Sequence, residues 1–203
     1  YAARLIVMAK SPGAGRSKRR LAASVGAIQA TRFYRACLAH TLMRLGRDPR
    51  WKTMLAVSPD RDIGAALWPR GVKRLPQGHG DLGRRMQRLL RNLPPGPAII
   101  VGSDIPAITP SDIACAFRLL GTADAVLGRA PDGGYWLIGL RRAPRLLEPF
   151  AGVRWSGPHA LADTLGNLEG QHVTFAATRS DVDTEEEYCK LRENWERLIP
   201  PSR

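Results

Sequence analysis

The sequence is short of acid. Lys and Arg number 31 against 18 Asp and Glu, a formal net charge of +13. That imbalance argues against partners that are themselves cationic and favours anions: phosphates, nucleic acid or acidic lipid. Nearly all the cations are Arg spread along the chain, so the global excess is also what an Arg-heavy surface would give. Long apolar runs are missing too. None approaches the ~20 residues that cross a bilayer, so no membrane partner is expected. Cysteine is scarce: Cys37, Cys115 and Cys189 are far apart, and none belongs to a C-x-x-C pair. A disulfide framework or a structural zinc site is therefore not expected, and a reducing, cytoplasmic setting is. The first residues run straight into a strand-like segment, so no signal peptide is expected. Repeats, low-complexity stretches and Ser/Gly linkers are absent. No helix-turn-helix, zinc-finger or RRM signature accompanies the basic charge, so a nucleic-acid partner is not expected.

What is present is an alternation. Hydrophobic residues make up 44% of 203, enough for one large domain over residues 1–203. Strand-like runs fall at 4–9, 52–58, 72–75, 98–102, 123–129, 135–140 and 172–176. Helical patterns fall at 23–45, 59–68, 82–92, 109–120, 157–168 and 184–198. Strand alternating with helix predicts an α/β fold with a mostly parallel sheet covered on both faces. The turn at Pro131-Asp132-Gly133-Gly134 joins two strands and predicts one antiparallel addition to that sheet. In such sheets ligands bind outside the carboxyl ends of the strands, so the loops leaving strands are where chemistry is expected.

Four loops stand out. The first is "AKSPGAGRSKRRLA", residues 9–22. Its glycines, Gly13 and Gly15, let backbone N–H groups curl toward an anion. Arg16, Lys18 and Arg20 add charged donors suited to phosphate. It matches neither the Walker pattern nor the dinucleotide glycine pattern. The second is "VGSDIPAITP", residues 101–110. A carboxylate directly after a buried strand is costly unless paired, hydrogen-bonded or on a metal, which makes Asp104 a candidate ligand. Mg²⁺ is commonly held by one or two carboxylates plus substrate phosphates. Ser103 and Asp112 read as turn and capping residues. The third, "APDGGYWLIGL", puts Asp132 where it can contact a hydroxyl or act as a base, beside Gly133, Gly134, Tyr135 and Trp136. The fourth, "RSDVDTEEEY", carries Asp181 and Asp183 on one side of an extended segment. Thr184 with Glu187 forms a capping box, which leaves Asp183 available to join Asp104 on a metal. Gln77 and Gly78, in a Gly-rich loop before a helix, are candidates to line a nucleotide pocket. Trp155, Ser156 and His159 sit at an expected helix start.

In this order the motifs resemble a bacterial transferase family found beside radical-SAM and selenoprotein-associated genes. The resemblance covers about residues 5–191. It rests on A-K-x-P-x-x-G-R-x-K-x-R-L at 9–21, Q-G-x-G-D-L-G-x-R-M at 77–86 and G-S-D-x-P at 102–106. It continues with D-G-G-Y-W-L-I-G at 132–139, Trp155-Ser156, and D-V-D-T at 181–184. Arg19 departs from the pattern, where Thr is expected. The family is similar to nucleotide-diphospho-sugar transferases with the A-type glycosyltransferase fold. More distantly it resembles molybdenum-cofactor and 2-phospho-lactate guanylyltransferases. The resemblance implies a three-layer α/β/α sandwich and a divalent ion, Mg²⁺ or Mn²⁺. It implies nucleotide or phosphate contacts at Ala9, Lys10, Gly15, Arg16, Lys18, Arg20, Gln77, Gly78 and Ser103. Asp104 and Asp183 become the metal pair. Asp104, Asp132 and Lys18 are the candidate catalytic residues, and Asp132, Gly133, Gly134, Tyr135 and Trp155 the candidate substrate contacts.

Two reactions fit. A glycosyltransferase-like enzyme would move a sugar from a nucleotide-sugar to a small-molecule acceptor. A nucleotidyltransferase would move NMP from an NTP to a phosphorylated acceptor and release pyrophosphate. In either, the metal and basic groups stabilise charge on the transferring and leaving oxygens. The superfamily resemblance favours the first; the cation-rich glycine loop favours the second.

Overall fold

The computed structural model describes residues 1–12, 19–180, 182 and 186–189, and the backbone alone at Arg19. The strands are β1 (Arg4–Lys10), β2 (Lys52–Ser58), β3 (Lys73–Pro76), β4 (Ala98–Gly102), β5 (Ala125–Arg129), β6 (Tyr135–Leu140) and β7 (Val173–Ala176). They form one seven-stranded sheet in the order β3-β2-β1-β4-β6-β5-β7. All pairings are parallel except those of β6, which runs antiparallel to β4 and β5. The antiparallel strand is therefore not added at an edge. It is inserted between two strands of the parallel set. A hairpin turn in the sequence gives the direction of a strand but not which neighbour takes its other edge.

The helices are α1 (Arg19–Val25), α2 (Ala27–Gly46), α3 (Leu82–Arg91), α4 (Pro110–Leu119) and α5 (Ala160–Gly166). The central strands are apolar on both faces, so they read as continuous hydrophobic runs rather than alternating ones. Leu5, Val7, Leu55, Val57, Ile99 and Val101 pack with Leu38, Leu42, Ile113 and Ala116 of α2 and α4. Ile6, Met54, Ala56, Ile100 and Ile138 pack with Met86, Leu89 and Leu90 of α3, while Leu161 and Leu165 of α5 lie against the same cluster. The result is helix, sheet, helix: a three-layer α/β/α sandwich with a mixed sheet.

Local signals account for most boundaries. Thr109 caps α4 through a reciprocal box with Asp112, and Pro110 opens the helix. Asp81 caps α3, accepting from the Arg84 N–H. Three expected helices change. The pattern at 23–45 is broken at Gly26, whose φ of 84° is outside the helical region and separates α1 from α2. The expected helix at 59–68 is only a 3₁₀ turn, Asp60–Asp62. There the Arg74 guanidinium donates to the carbonyls of Ile63, Ala65 and Trp68. The buried Trp68 donates to Asp62 O at 2.6 Å. Those side chains satisfy carbonyls that a helical ladder would have used. The helix expected at 157–168 is shorter, starting at Ala160.

Candidate active site

β1, β2, β3 and β4 all end at one edge of the sheet, and antiparallel β6 begins there. A cavity of about 250 Å³ opens at that edge. Its inner wall is apolar and buried: Met86, Ile100, Ile138 and Ala160. Its more exposed parts carry Asp104, Asp132, Tyr135, Trp155 and Ser156. Five expected site residues, Asp104, Asp132, Gly134, Tyr135 and Trp155, are thus brought together from three separate segments.

Each has a local cause. Asp104 lies two residues past the end of β4, and its carboxylate lies back over Gly102. A Cβ on Gly102 would stand 3.0 Å from Asp104 Oδ1. Asp132 Oδ1 accepts the Gly134 N–H at 2.9 Å, a tight turn closed by its own side chain. Gly133 has φ of 84°, and a Cβ there would meet the Pro158 backbone at 2.4 Å. It joins the two loops of the site and does not line the cavity. The Tyr135 hydroxyl accepts from buried Thr164 at 3.3 Å. Burial pushes that phenol far above its ordinary pKa, against a smaller opposite effect from the Thr164 bond, so it stays neutral.

Trp155 packs edge-on to Tyr135, with centroids 6.3 Å apart, and tilted to Phe150. Beneath it α3 presents Gly83, where a Cβ would stand 2.8 Å from Phe150 Cβ and 2.9 Å from Trp155 Cζ2. Arg154 holds this turn to α5 by a fork, Nε and Nη2 donating to Asp163 at 3.0 and 2.7 Å. The same fork, with the Arg154 N–H, holds the Asp163 carboxyl far below the usual carboxylate range. Ser156, next along, has φ of 64°. A non-glycine residue there is uncommon, and such strain concentrates at ligand sites.

Among the described residues, the remaining nucleotide candidates do not line the cavity, and several brace the chain beside it. Gln77 is buried, and its Nε2 donates to Ala9 O at 3.1 Å and Ala56 O at 2.8 Å, bridging β1 and β2. The Gly78 N–H donates to Asp60 Oδ1. Arg88 Nη1 donates to the carbonyls of Gln77 and His79. The Lys10 N–H donates to the Tyr34 hydroxyl at 2.9 Å, and Tyr34 sits 2.9 Å from Ser103 Oγ. Burial pushes the Tyr34 phenol up to about 12. Lys10 and Arg20 are exposed to solvent. Gly15, Arg16, Lys18, Asp181, Asp183 and Thr184 lie outside the described residues.

The chain on either side of Asp181 is nevertheless tied down. The Arg179 N–H donates to Arg129 O. The Arg179 guanidinium forks onto Asp112, at 2.8 and 3.3 Å. Burial opposes ionisation of Asp112, but that fork and the Thr109 donors hold its carboxyl below the usual range. Val182 is buried with Leu21, Ala30 and Phe33. Among the described residues no group of three His, Cys, Asp or Glu side chains stands ready for a metal. Asp104 and Asp132 are hard oxygen donors at the cavity, a donor type that suits Mg²⁺ or Mn²⁺.

Residues 41–157, more than half of the chain, match a family described as an uncharacterized protein conserved in bacteria, DUF2064. The chain belongs to this family. The match ends at Gly157, beside Trp155 and Ser156, and takes in Gln77, Asp104 and Asp132. No curated protein matches in sequence. A crystal structure from Desulfovibrio desulfuricans G20, described provisionally as a nucleotide-diphospho-sugar transferase, is 25% identical with a TM-score of 0.81, covering 97% of this chain and 96% of that one. The inositol-1-phosphate CTP transferase of T. maritima shares the fold at 14% identity and a TM-score of 0.66, over 98% and 97% of the two chains. The Rv0371c protein of Mycobacterium tuberculosis H37Rv, in complex with manganese, shares it at 17% identity and a TM-score of 0.54, over 95% and 98%. The DUF2064 chain thus has a fold shared by nucleotide-sugar and nucleotidyl transferases. No helix among its described residues is long and apolar enough to cross a membrane.

Sequence reasoning missed the apolar part of the site. Met86, Ile100 and Ile138 read as plain core, because periodicity reports burial and not what lies on the far side. It also passed over Gly78-x-Gly80-x-x-Gly83, a dinucleotide-type glycine spacing between β3 and α3. The structure gives those glycines another cause. A Cβ would meet Arg88 Nη1 at 2.3 Å on Gly78, Arg84 at 3.0 Å on Gly80, and Phe150 at 2.8 Å on Gly83.

Proposed function

We propose that this protein transfers a glycosyl group from a nucleotide-diphospho-sugar to a small-molecule acceptor, in the cavity beside Asp104. The observation that carries the reading is the convergence of Asp104, Asp132, Tyr135 and Trp155 on one cavity at the carboxyl ends of the strands. The likeness to the Desulfovibrio structure supports the same class. Gly15, Arg16 and Lys18, with exposed Lys10 and Arg20, take the nucleotide phosphates. Ala9, Gln77, Gly78 and Ser103 support that site through the main chain they brace. Asp132 takes the acceptor proton. The acceptor oxygen bonds to the anomeric carbon as the carbon–oxygen bond to the diphosphate breaks, its electron pair leaving with the nucleotide.

Asp104 and Asp183 would hold Mg²⁺ or Mn²⁺, which would neutralise diphosphate charge when bound. Nearby in the chain, the Arg179 guanidinium forks onto Asp112 and Val182 is buried with Leu21, Ala30 and Phe33. Three cysteines without disulfides support a reducing, cytoplasmic setting.

The second reading is nucleotidyl transfer. The fold shared with a CTP transferase favours it, as does the cationic glycine loop. A thermal-shift panel of nucleoside triphosphates against nucleotide-sugars, with and without Mn²⁺, tests both. The glycosyl reading expects the larger metal-dependent shift from a nucleotide-sugar. A larger shift from a triphosphate would replace it with the nucleotidyl reading, and no metal-dependent shift from either would remove both.

A further inference from the structure

The cavity beside Asp104 has a chemistry of its own. In a chain carrying 31 Lys and Arg, none of the described residues lining it is Lys, Arg or His. Its charged groups are two carboxylates, Asp104 and Asp132. Its buried end is hydrocarbon, from Met86, Ile100, Ile138 and Ala160, each under 8% exposed. At the open end Leu82, the first residue of α3, is 41% exposed, an apolar side chain held in water at the lip of the cavity. The rings of Tyr135 and Trp155, packed edge-on to one another, line the same cavity. Of the polar lining groups, the Trp136 Nε1 donates to Ala177 O and the Tyr135 hydroxyl is engaged by Thr164. Asp132 Oδ2 has no hydrogen-bond partner among the described residues.

This distribution selects its occupant. A phosphate pushed into the hydrocarbon end would lose its hydration and meet no cationic side chain among the described lining residues. A polyol would bury hydroxyls without partners, each costing free energy. An apolar body with one hydroxyl fits: hydrocarbon against Met86, Ile100 and Ile138, oxygen at the Asp132 end. Resting on the glycosyl-transfer reading above, we propose that the acceptor is a non-phosphorylated alcohol with a hydrocarbon or aromatic body. Leu82 and Trp155 are its specificity-determining contacts.

The test uses three probes that share or lack these features: cyclohexylmethanol, cyclohexylmethyl phosphate and glucose. Each is titrated calorimetrically into the full chain with UDP and Mn²⁺ present. Cyclohexylmethanol should bind saturably, and at least about tenfold more tightly than the other two, the factor expected of one well-buried apolar group. Leu82→Glu, at an exposed position where the fold does not depend on the side chain, should weaken cyclohexylmethanol by about tenfold and leave UDP binding unchanged. Trp155→Ala should weaken cyclohexylmethanol by a similar factor. Tighter binding of the phosphate ester or of glucose overturns the proposal, as does an alcohol whose affinity neither variant moves. UDP and Mn²⁺ binding, read in the same titrations, reports separately on the parent reading: its loss would remove glycosyl transfer itself.

Discussion

Two glycine-bearing loops leave the same edge of the sheet and meet different fates. The loop after β3 is filled by its own chain. Arg88 occupies the space a Gly78 side chain would need and caps two carbonyls, while Gln77 ties β1 to β2. The loop between β5 and β6 turns on Asp132 and Gly133 and leaves a cavity open beside it. Both are Gly-rich, and both precede buried elements. The first is bracing and the second borders the cavity proposed to take a substrate. Glycine therefore marks close approach, and only the partner's identity says whether what approaches is a ligand or the protein itself.

The largest effect expected from this contrast is at Asp104. Asp104→Ala should lower the transfer rate by about 10³-fold, roughly 4 kcal/mol of transition-state stabilisation, with the melting temperature nearly unchanged. Steady-state kinetics beside a thermal melt checks both halves. Next comes the braced loop. Arg88→Ala removes charged hydrogen bonds to two carbonyls and should destabilise the fold by about 2–3 kcal/mol by urea unfolding, with KM unchanged for the molecules that remain folded. A variant that kept its stability but lost nucleotide affinity would reverse the assignment of the two loops.

Much of the fold was legible because the signals were local. The runs at 98–102 and 135–140 coincide with β4 and β6, and the Thr109–Asp112 box opens α4 as its spacing predicts. Asp104 and Asp132 were legible as well, since a carboxylate at a strand end and an Asp-Gly-Gly turn are visible in a dozen residues. What was not legible depended on distant partners. Arg74 replaces the helix expected at 59–68, and nothing near residue 60 announces it. The insertion of β6 beside β4 is a pairing choice made between residues 36 to 42 positions apart. The hydrocarbon half of the cavity looks, residue by residue, like any other core.

Smaller effects sharpen the comparison at the rim. Gly83→Ala would press on Phe150 and Trp155, shifting the indole rather than the chemistry. It should raise the acceptor KM by about tenfold, near 1.4 kcal/mol, with kcat within a factor of about two, and change the tryptophan emission. The smallest expected effect is electrostatic. The Asp112 carboxyl titrates below its unfolded value, so its contribution is complete above about pH 4 and is lost as pH falls through the lower, folded value. Arg179→Ala should remove about 1 kcal/mol at pH 7, after allowance for solvent screening, and almost nothing at pH 2. A pH series of unfolding free energies reads this directly. A loss that grows on acidification would have the wrong sign for this account.

The cavity beside Asp104, and not the braced loop after β3, is held to be where the reaction occurs. Anomalous diffraction from crystals grown with Mn²⁺ and a nucleoside diphosphate tests that most directly. The account predicts a manganese peak bonded to the Asp104 carboxylate at about 2.1–2.2 Å, near the distance expected for a small hard divalent ion. A manganese and diphosphate seated instead against Gly78 and Arg88, with Asp104 uncoordinated, would contradict it.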